Sequence, residues 1–409
     1  MPGCWLAFIV LPMHPSLRNR LPLYPGQFVA GVVMVSLGPL LDPIMRDLRV
    51  PLSRGGLIAA AFFLGQIAGV LVLNAFLAKV PVKWTAAGGA LLQAAALAAG
   101  ALFAKGLGTL FLAYVLVGFG WAFVNTICWM WVPSHVKEKT ASATLLMIFF
   151  FAVGMTITPL VLGPSISAGV SWRWILACEG GLSLILAAVF AALPLLDIPG
   201  RENLRARQIR EVSSFNPGLL LGILGGAFLY TGAEACFSVW LPKFMLDTFN
   251  ASQTWASLSV TSFWIGLLAG RLIVAPISHR LSPARLVTFC CAALAILAVG
   301  IAVSPSQATC LALAAGAGLA ASASYGLIGS YTALFPAWHA GVASSAFVLA
   351  GAAGSMIFPY LTGPAASAGG FRLAIALTAV PAFGCALVAL YIRARSGERS
   401  PRVALLPDL

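Results

Sequence analysis

The residue of this sequence with the clearest capacity for chemistry is an acid inside a long apolar run. Residues 217–246 form that run, and Glu234 lies near its middle. A carboxylate in hydrocarbon is costly unless it is protonated, paired or turned towards water, so such an acid is a candidate functional residue. Tyr230 and Ser238 lie four residues to either side and share its helical face. We predict that Glu234 binds and releases a proton or contacts a solute; the alternative is a neutral acid that only holds helices together.

Other apolar runs carry polar and aromatic side chains that suit a solute pocket. Run 107–131 contains Trp121 and Asn125, four residues apart, and run 308–335 contains Tyr325 and Tyr331. A few hydrogen-bonding groups among aromatic rings are typical of a pocket for a small organic molecule. Tyr230, Asn125, Tyr325, Tyr331 and Trp121 are therefore candidate solute-binding residues.

The elements that must position these residues are membrane-spanning helices. The 409-residue chain is 60% hydrophobic and only 9% charged. Its continuous apolar runs of about twenty residues are long enough to span a bilayer as helices, and they lack the alternation of a β-barrel. The predicted spans are 23–44, 57–78, 84–104, 107–131, 141–164, 172–195, 217–246, 254–276, 284–303, 308–335, 341–366 and 371–392. The sequence predicts an all-α polytopic membrane protein with twelve transmembrane helices in two pseudo-symmetric six-helix bundles.

The net charge of +13 indicates membrane topology, because Lys and Arg lie between the apolar runs and form no nucleic-acid-binding face. With both termini in the cytoplasm, 17 of the 24 Lys and Arg residues fall on the inner side. The predicted order is a cytoplasmic tail (1–22), a first bundle (23–195), a basic connector (196–216), a second bundle (217–392) and a cytoplasmic tail (393–409). The apolar stretch 1–10 is too short to span, and Met13 is an alternative start to Met1.

The two halves of the chain repeat each other. Gly65 and Gly69 recur as Gly266 and Gly270, an offset of 201 residues. Other pairs recur at 199 or 200 residues, namely Gly154 with Gly354, Pro159 with Pro359, Gly163-Pro164 with Gly363-Pro364, and Trp172-Arg173 with Phe371-Arg372. Such duplication is typical of transporters that rock two bundles about a site near the membrane midplane.

Twelve spans, this duplication and the basic loops between spans two and three and between spans eight and nine resemble the major facilitator superfamily. The loops read Ala78-Lys79-Val80-Pro81-Val82-Lys83 and His279-Arg280-Leu281-Ser282-Pro283-Ala284-Arg285, so the family's acid is replaced by Ala78 or His279. The run from Tyr230 to Glu234, with Trp240 and Gly270-Arg271, is similar to the fucose, glucose and galactose symporter branch. The resemblance implies alternating access, proton coupling and a central cavity lined by spans one, four, seven and ten.

Four charged residues are candidate gate or structural elements: Arg271, Asp42, Arg280 and Lys79. Asp42 has Arg46 four residues on, so a local ion pair is favoured over a gate. For Arg271, packing or snorkelling is favoured over an inner-gate latch. Glu179, near the predicted outer end of span six, is more typical of an interfacial acid.

The histidines lie in loops or tails, and none has a catalytic partner at the spacing that an enzyme would need; no phosphate loop is present either. We therefore predict a non-enzymatic secondary transporter, without a cofactor, metal or nucleic acid. It would act as a monomer among lipids of the cell membrane and move a small solute in symport with a proton. The alternatives are proton-driven efflux of an amphipathic compound and a non-transporting sensor or scaffold.

Overall fold

A computed structural model describes residues 21–76, 79–136, 140–197, 216–274, 282–335 and 337–396. Within these ranges, twelve helical segments are long and apolar enough to cross a membrane. Arg280 and most residues of the predicted connector and both tails lie outside the described residues. The protein is an all-α, multi-pass membrane protein, which confirms the predicted fold class.

The described residues contain thirteen α-helices in chain order. The first six are α1 (Leu23–Asp47), α2 (Leu52–Phe76), α3 (Val82–Phe103), α4 (Leu107–His135), α5 (Thr140–Ser167) and α6 (Trp172–Ala192). The others are α7 (Pro217–Phe249), α8 (Gln253–Val274), α9 (Pro283–Ala302), α10 (Gln307–Ala321), α11 (Ser324–Ser330), α12 (Ala337–Ala376) and α13 (Ala379–Ser396). A 3₁₀ turn, Tyr331–Leu334, continues the tenth span after α11. Nearly every predicted span matches one helix.

The structure differs from the predicted spans in two places. The tenth span is not a single helix, because α10 ends at Ala321 and α11 begins at Ser324. Helix α12 contains the predicted eleventh span, and its regular conformation is interrupted at Gly370, with φ of 80°, inside the predicted gap between residues 366 and 371. Glycine adopts this left-handed conformation without the steric cost of a Cβ. The second difference follows this gap, because the helix resumes only to Ala376 and α13 begins at Ala379, so the predicted twelfth span is divided. The apolar runs give no direct signal for the break in the tenth span, whereas the gap that they predict between the last two spans contains Gly370.

The described residues form two compact units. The first contains the described residues up to Met34, those within Leu64–Thr158, and α6 with its described flanking residues from Ser171 onward. The second contains Val35–Phe63, Pro159–Val170 and the helices from α7 onward. Helices α1, α2 and α5 therefore contribute to both units, so this division is not the predicted division into halves 23–195 and 217–392. Those boundaries stay a prediction.

Corresponding glycines make corresponding contacts in the two repeats. In the first unit, a Cβ on Gly154 of α5 would overlap the carbonyl oxygen of Phe28 in α1. In the second unit, a Cβ on Gly354 of α12 would overlap the carbonyl oxygen of Phe228 in α7. Both members of the second pair lie 200 residues after those of the first. Small residues at such positions allow helix backbones to approach closely in a membrane, which is the reason for the glycine repeat.

The arginines of the repeat cap helix ends. Arg173 donates hydrogen bonds to the carbonyls of Ala101 (3.0 Å) and Ala104 (2.7 Å), at the end of α3. Arg372 donates to the carbonyls of Ala302 (2.7 Å) and Ser304 (3.1 Å), at the end of α9. A cation at a helix C-terminus satisfies carbonyls that lack partners in the helix and complements the helix dipole.

We expect Arg173→Met to lower the thermal midpoint of the detergent-purified protein by several degrees. Hydrogen bonds to charged groups contribute about 1.5–3 kcal/mol each, and Arg173 is half-buried whereas Arg372 is exposed. Arg372→Met should therefore have the smaller effect. Differential scanning fluorimetry measures the order of the thermal midpoints. A third variant, Arg173→Lys, keeps the charge but loses the planar guanidinium group. Equal midpoints for all three variants and the parent would contradict the capping role.

Candidate transport site

Glu234 lies midway along α7, in contact with a tyrosine of the same helix. Its side chain is half-buried, and Tyr230, one turn earlier, is only 2% exposed. The Tyr230 hydroxyl is a hydrogen-bond partner of the Glu234 carboxyl group and also donates to the carbonyl of Ala321 in α10 at 2.9 Å. The Tyr230 side chain therefore links Glu234 to the end of α10. The four-residue spacing predicted the first contact, but not the second.

Two more of the predicted residues adjoin this pair. Arg271 of α8 interacts electrostatically with both Glu234 and Tyr230, so a positive charge compensates for the carboxylate inside the same unit. The Tyr325 ring of α11 lies 6.2 Å from the Tyr230 ring and 4.6 Å from that of Phe347. Tyr331 is buried in the 3₁₀ turn after α11. The structure thus brings Glu234, Tyr230, Arg271 and Tyr325 together in the second unit.

The break in the tenth span lies beside this cluster. Ser322, in the break, is 7% exposed, and its hydroxyl has no hydrogen-bond partner among the described groups. Gly270 of α8 allows the approach, since a Cβ there would lie 2.5 Å from the Ser322 hydroxyl oxygen. Interrupted membrane helices expose backbone carbonyls and helix ends, which bind solutes and ions in many transporters. The arrangement offers a proton acceptor, hydroxyl groups and a cation.

The first unit holds a separate polar set on α1 and α4. The Gln27 side chain donates to the side-chain oxygen of Asn125 at 3.2 Å. The Trp121 indole N–H donates to the carbonyl of Ala30 at 2.8 Å, and Trp121 is 4% exposed. The indole N–H is therefore engaged between the two helices. Gln27 was not among the predicted site residues, although it is a rare amide in the first apolar run.

Comparison with protein families bears directly on this fold. The family model described as Major Facilitator Superfamily matches residues 23–332 and 223–407. The chain belongs to the major facilitator superfamily.

Relatives and solved structures agree with this assignment. Among curated proteins, a "Protein TsgA homolog" from Yersinia pseudotuberculosis serotype O:1b (strain IP 31758) is 24% identical over 376 residues, covering 89% of this chain and 92% of the relative. Another, from Yersinia pestis (strain Pestoides F), is 25% identical over 301 residues, which cover 71% and 74% of the two chains.

Two solved structures share the fold at 14% sequence identity. A bacterial homolog of the human lysosomal transporter Spinster, in an inward-facing and unoccupied conformation, has a TM-score of 0.76 and covers 95% of this chain and 99% of its own. A D-xylose–proton symporter has a TM-score of 0.75, with 93% and 97% covered. This chain is thus a multi-pass transporter with the major facilitator fold, as predicted.

The charged gate candidates of this major facilitator protein differ in their surroundings. Lys79 is exposed, near the start of α3, whereas Arg271 belongs to the cluster around Glu234. Asp42 makes the predicted local pair, with 2.9 Å between its Oδ2 and the Nε of Arg46. It also pairs with Lys243 of α7, at 2.7 Å between Oδ1 and Nζ. The local interpretation was therefore incomplete, because a partner 201 residues away leaves no pattern in one sequence.

Proposed function

We propose that this protein is a proton-coupled secondary transporter that takes up a small organic solute by alternating access. A single observation carries the proposal: a membrane-embedded carboxyl group, Glu234, is bonded to Tyr230 beside the break in the tenth span. Intramembrane acids of this kind mark proton or solute pathways. The D-xylose–proton symporter with the same fold is named for that type of coupling, which supports the proposal without identifying the solute.

Coupling follows from the charge of the cluster. With Glu234 ionised, its negative charge is partly offset by Arg271; with Glu234 protonated, the guanidinium group of Arg271 loses this charged partner. Proton binding thus changes both the net charge and the hydrogen-bond donors that a solute meets. A ligand shifts a conformational equilibrium only through its differential affinity for the two states, and the effect of proton and solute on each other is reciprocal.

The remaining predicted residues enter as solute contacts. Asn125 has a second amide beside it, Gln27, and amide pairs bind the hydroxyl and carbonyl groups of organic molecules well. Tyr325 offers a half-buried ring and hydroxyl next to Tyr230, whereas Tyr331 and Trp121 are more deeply buried. We assign Asn125 and Tyr325 to direct contact and the other two to the supporting wall.

We place both termini in the cytoplasm and the protein in the cell membrane, as a monomer surrounded by lipid. The excess of Lys and Arg on one side of the twelve spans supports this orientation. Lys79 and Arg280 then belong to cytoplasmic loops, and the loops 48–51 and 250–252 face outward.

Gradient-driven flux in proteoliposomes tests the proposal. The purified protein, reconstituted with an inward-directed proton gradient, should accumulate one member of a radiolabelled library of sugars, nucleosides and organic acids. A protonophore should abolish that accumulation, and liposomes without protein give the background. Proton-driven expulsion of preloaded solute against an inward-directed solute gradient, without accumulation, would indicate the alternative of export. Substrate binding without flux, measured by thermal shift, would favour the sensor or scaffold and overturn the proposal.

A further inference from the structure

A second group of charged residues lies far from Glu234, at the membrane face where α1 ends and α2 begins. We call this the loop 1–2 face. Asp42 of α1 is 3% exposed and lies 2.7 Å from the Nζ of Lys243 in α7, which is itself 12% exposed. The Nε2 of Gln253, at the start of α8, donates to Asp42 Oδ2 at 3.1 Å. One buried carboxylate therefore joins three helices.

The helices touch closely around this carboxylate. Pro242 has no N–H, so the carbonyl of Ser238 loses its usual partner in α7. Gly38 of α1 packs directly on that carbonyl oxygen, which a Cβ at this position would overlap. Nearby, a Cβ on Gly363 of α12 would lie 2.9 Å from the carbonyl oxygen of Leu52 in α2. This end of the second unit is closed by backbone contacts as well as by charge.

Both charges of the cross-helix pair have a second partner on their own helix. Asp42 pairs with Arg46, four residues on in α1, at 2.9 Å. Lys243 pairs with Asp247, four residues on in α7, at 2.6 Å. If α1 and α7 separate, each charge keeps a partner on its own helix, so opening leaves neither ion unpaired. A buried pair without such alternatives would be expensive to break, because one partner's removal leaves an uncompensated charge.

We propose that Asp42, Lys243 and Gln253 form a reversible latch that closes the loop 1–2 face and must open once in every transport cycle. Arg46 and Asp247 act as exchange partners that hold the two charges while the latch is open. Beside the latch is a cavity of about 290 Å³, lined by Asp42, Arg46, Arg49, Lys243 and Asp247 among others. Water that enters this cavity can solvate the charges as they separate. The latch rests on the proposed alternating access but not on the role proposed for Glu234.

Cysteine accessibility provides the test, and it needs no transport activity. Val50, 8% exposed, lines the same cavity, so Val50→Cys reports opening through its rate of alkylation by a membrane-impermeant maleimide. The modified peptide, quantified by mass spectrometry of protein in nanodiscs, is distinguished from those of the native cysteines. Asp42→Asn in this background should accelerate labelling on the order of tenfold, since a lost charge-assisted hydrogen bond shifts a two-state equilibrium by about that factor.

Variants of the exchange partners separate a latch from general loosening. Asp247→Asn removes only the local partner of Lys243, and Arg46→Gln only that of Asp42, so both should slow labelling severalfold by making the open state less favourable. Gly38→Ala, which separates the backbones without changing a charge, should accelerate it. Gly88→Ala is a control, since a Cβ there meets nothing within 4 Å. If Asp42→Asn and Asp247→Asn change the rate in the same direction, or if neither changes it, the latch is disproved.

Discussion

Replacing Glu234 with glutamine should abolish accumulation driven by a proton gradient, while solute exchange continues. With one proton per solute, a gradient of two pH units can sustain about a hundredfold accumulation, because each pH unit corresponds to about 1.4 kcal/mol and hence to a factor of ten. Glutamine cannot release a proton, so the accumulation ratio should fall to about one. It keeps the size of the side chain and a carbonyl oxygen for the Tyr230 hydroxyl, and binding should therefore survive.

Two measurements on the same proteoliposomes separate coupling from binding. Uptake under the imposed gradient reports coupling, and counterflow of labelled against unlabelled solute without a gradient reports binding and conformational exchange. We expect Glu234→Gln to lose the first and retain the second. Loss of both would assign Glu234 to solute binding, and retention of both would reduce it to a residue that holds α7 in place.

Glu179 provides a matched control for the Glu234 variant. It lies within α6 of the first unit, away from the latch, and at 5% exposure it is more deeply buried than Glu234. It lies near Tyr114 of α4, so it resembles Glu234 in chemistry but has another location. Glu179→Gln should keep accumulation near that of the parent. If both variants lose coupling, burial of an acid matters more than its position beside the break in the tenth span.

Local patterns in the sequence predicted the spans and several of the contacts in this protein. Apolar runs located the twelve spans, because length and hydropathy decide which segments enter a bilayer. The four-residue spacing of Tyr230 and Glu234 predicted their contact, since residues i and i+4 adjoin on any helix. The offset of 200 residues predicted that Gly154 and Gly354 have equivalent roles, and they make equivalent contacts.

What the sequence did not reveal depends on groups far apart in the chain. The Tyr230 hydroxyl reaches Ala321 because the tenth span is interrupted there, and neither Ser322 nor Ala323 is a strong helix breaker. The Asp42–Lys243 pair joins helices whose register is set by the packing of Gly38 on Ser238. Periodicity within a span reports which side chains share a face, but it does not identify the helix that this face meets.

Gly354→Ala should severely impair folding. The added methyl group would overlap the carbonyl oxygen of Phe228, and backbone atoms cannot move aside as a flexible side chain can. Helices α7 and α12 would have to separate along an interface that also includes the bond from Thr231 to the Gly351 carbonyl, at 2.6 Å. Overpacking a tight interface costs about 1–3 kcal/mol or more, so little monodisperse protein should remain in detergent.

Two other glycines provide comparisons for this prediction, because alanine should destabilise the protein at one of them and stabilise it at the other. Gly154→Ala introduces the equivalent clash, with the Phe28 carbonyl of α1, and should be similarly damaging. Gly88→Ala, on the exposed face of α3, should instead raise the thermal midpoint, because alanine favours a helix over glycine by up to about 1 kcal/mol. Size-exclusion profiles and thermal midpoints of the three variants measure the contrast. A Gly354→Ala protein as stable as the parent would mean that α7 and α12 are not held together by this backbone contact, and that the glycine repeat has another cause.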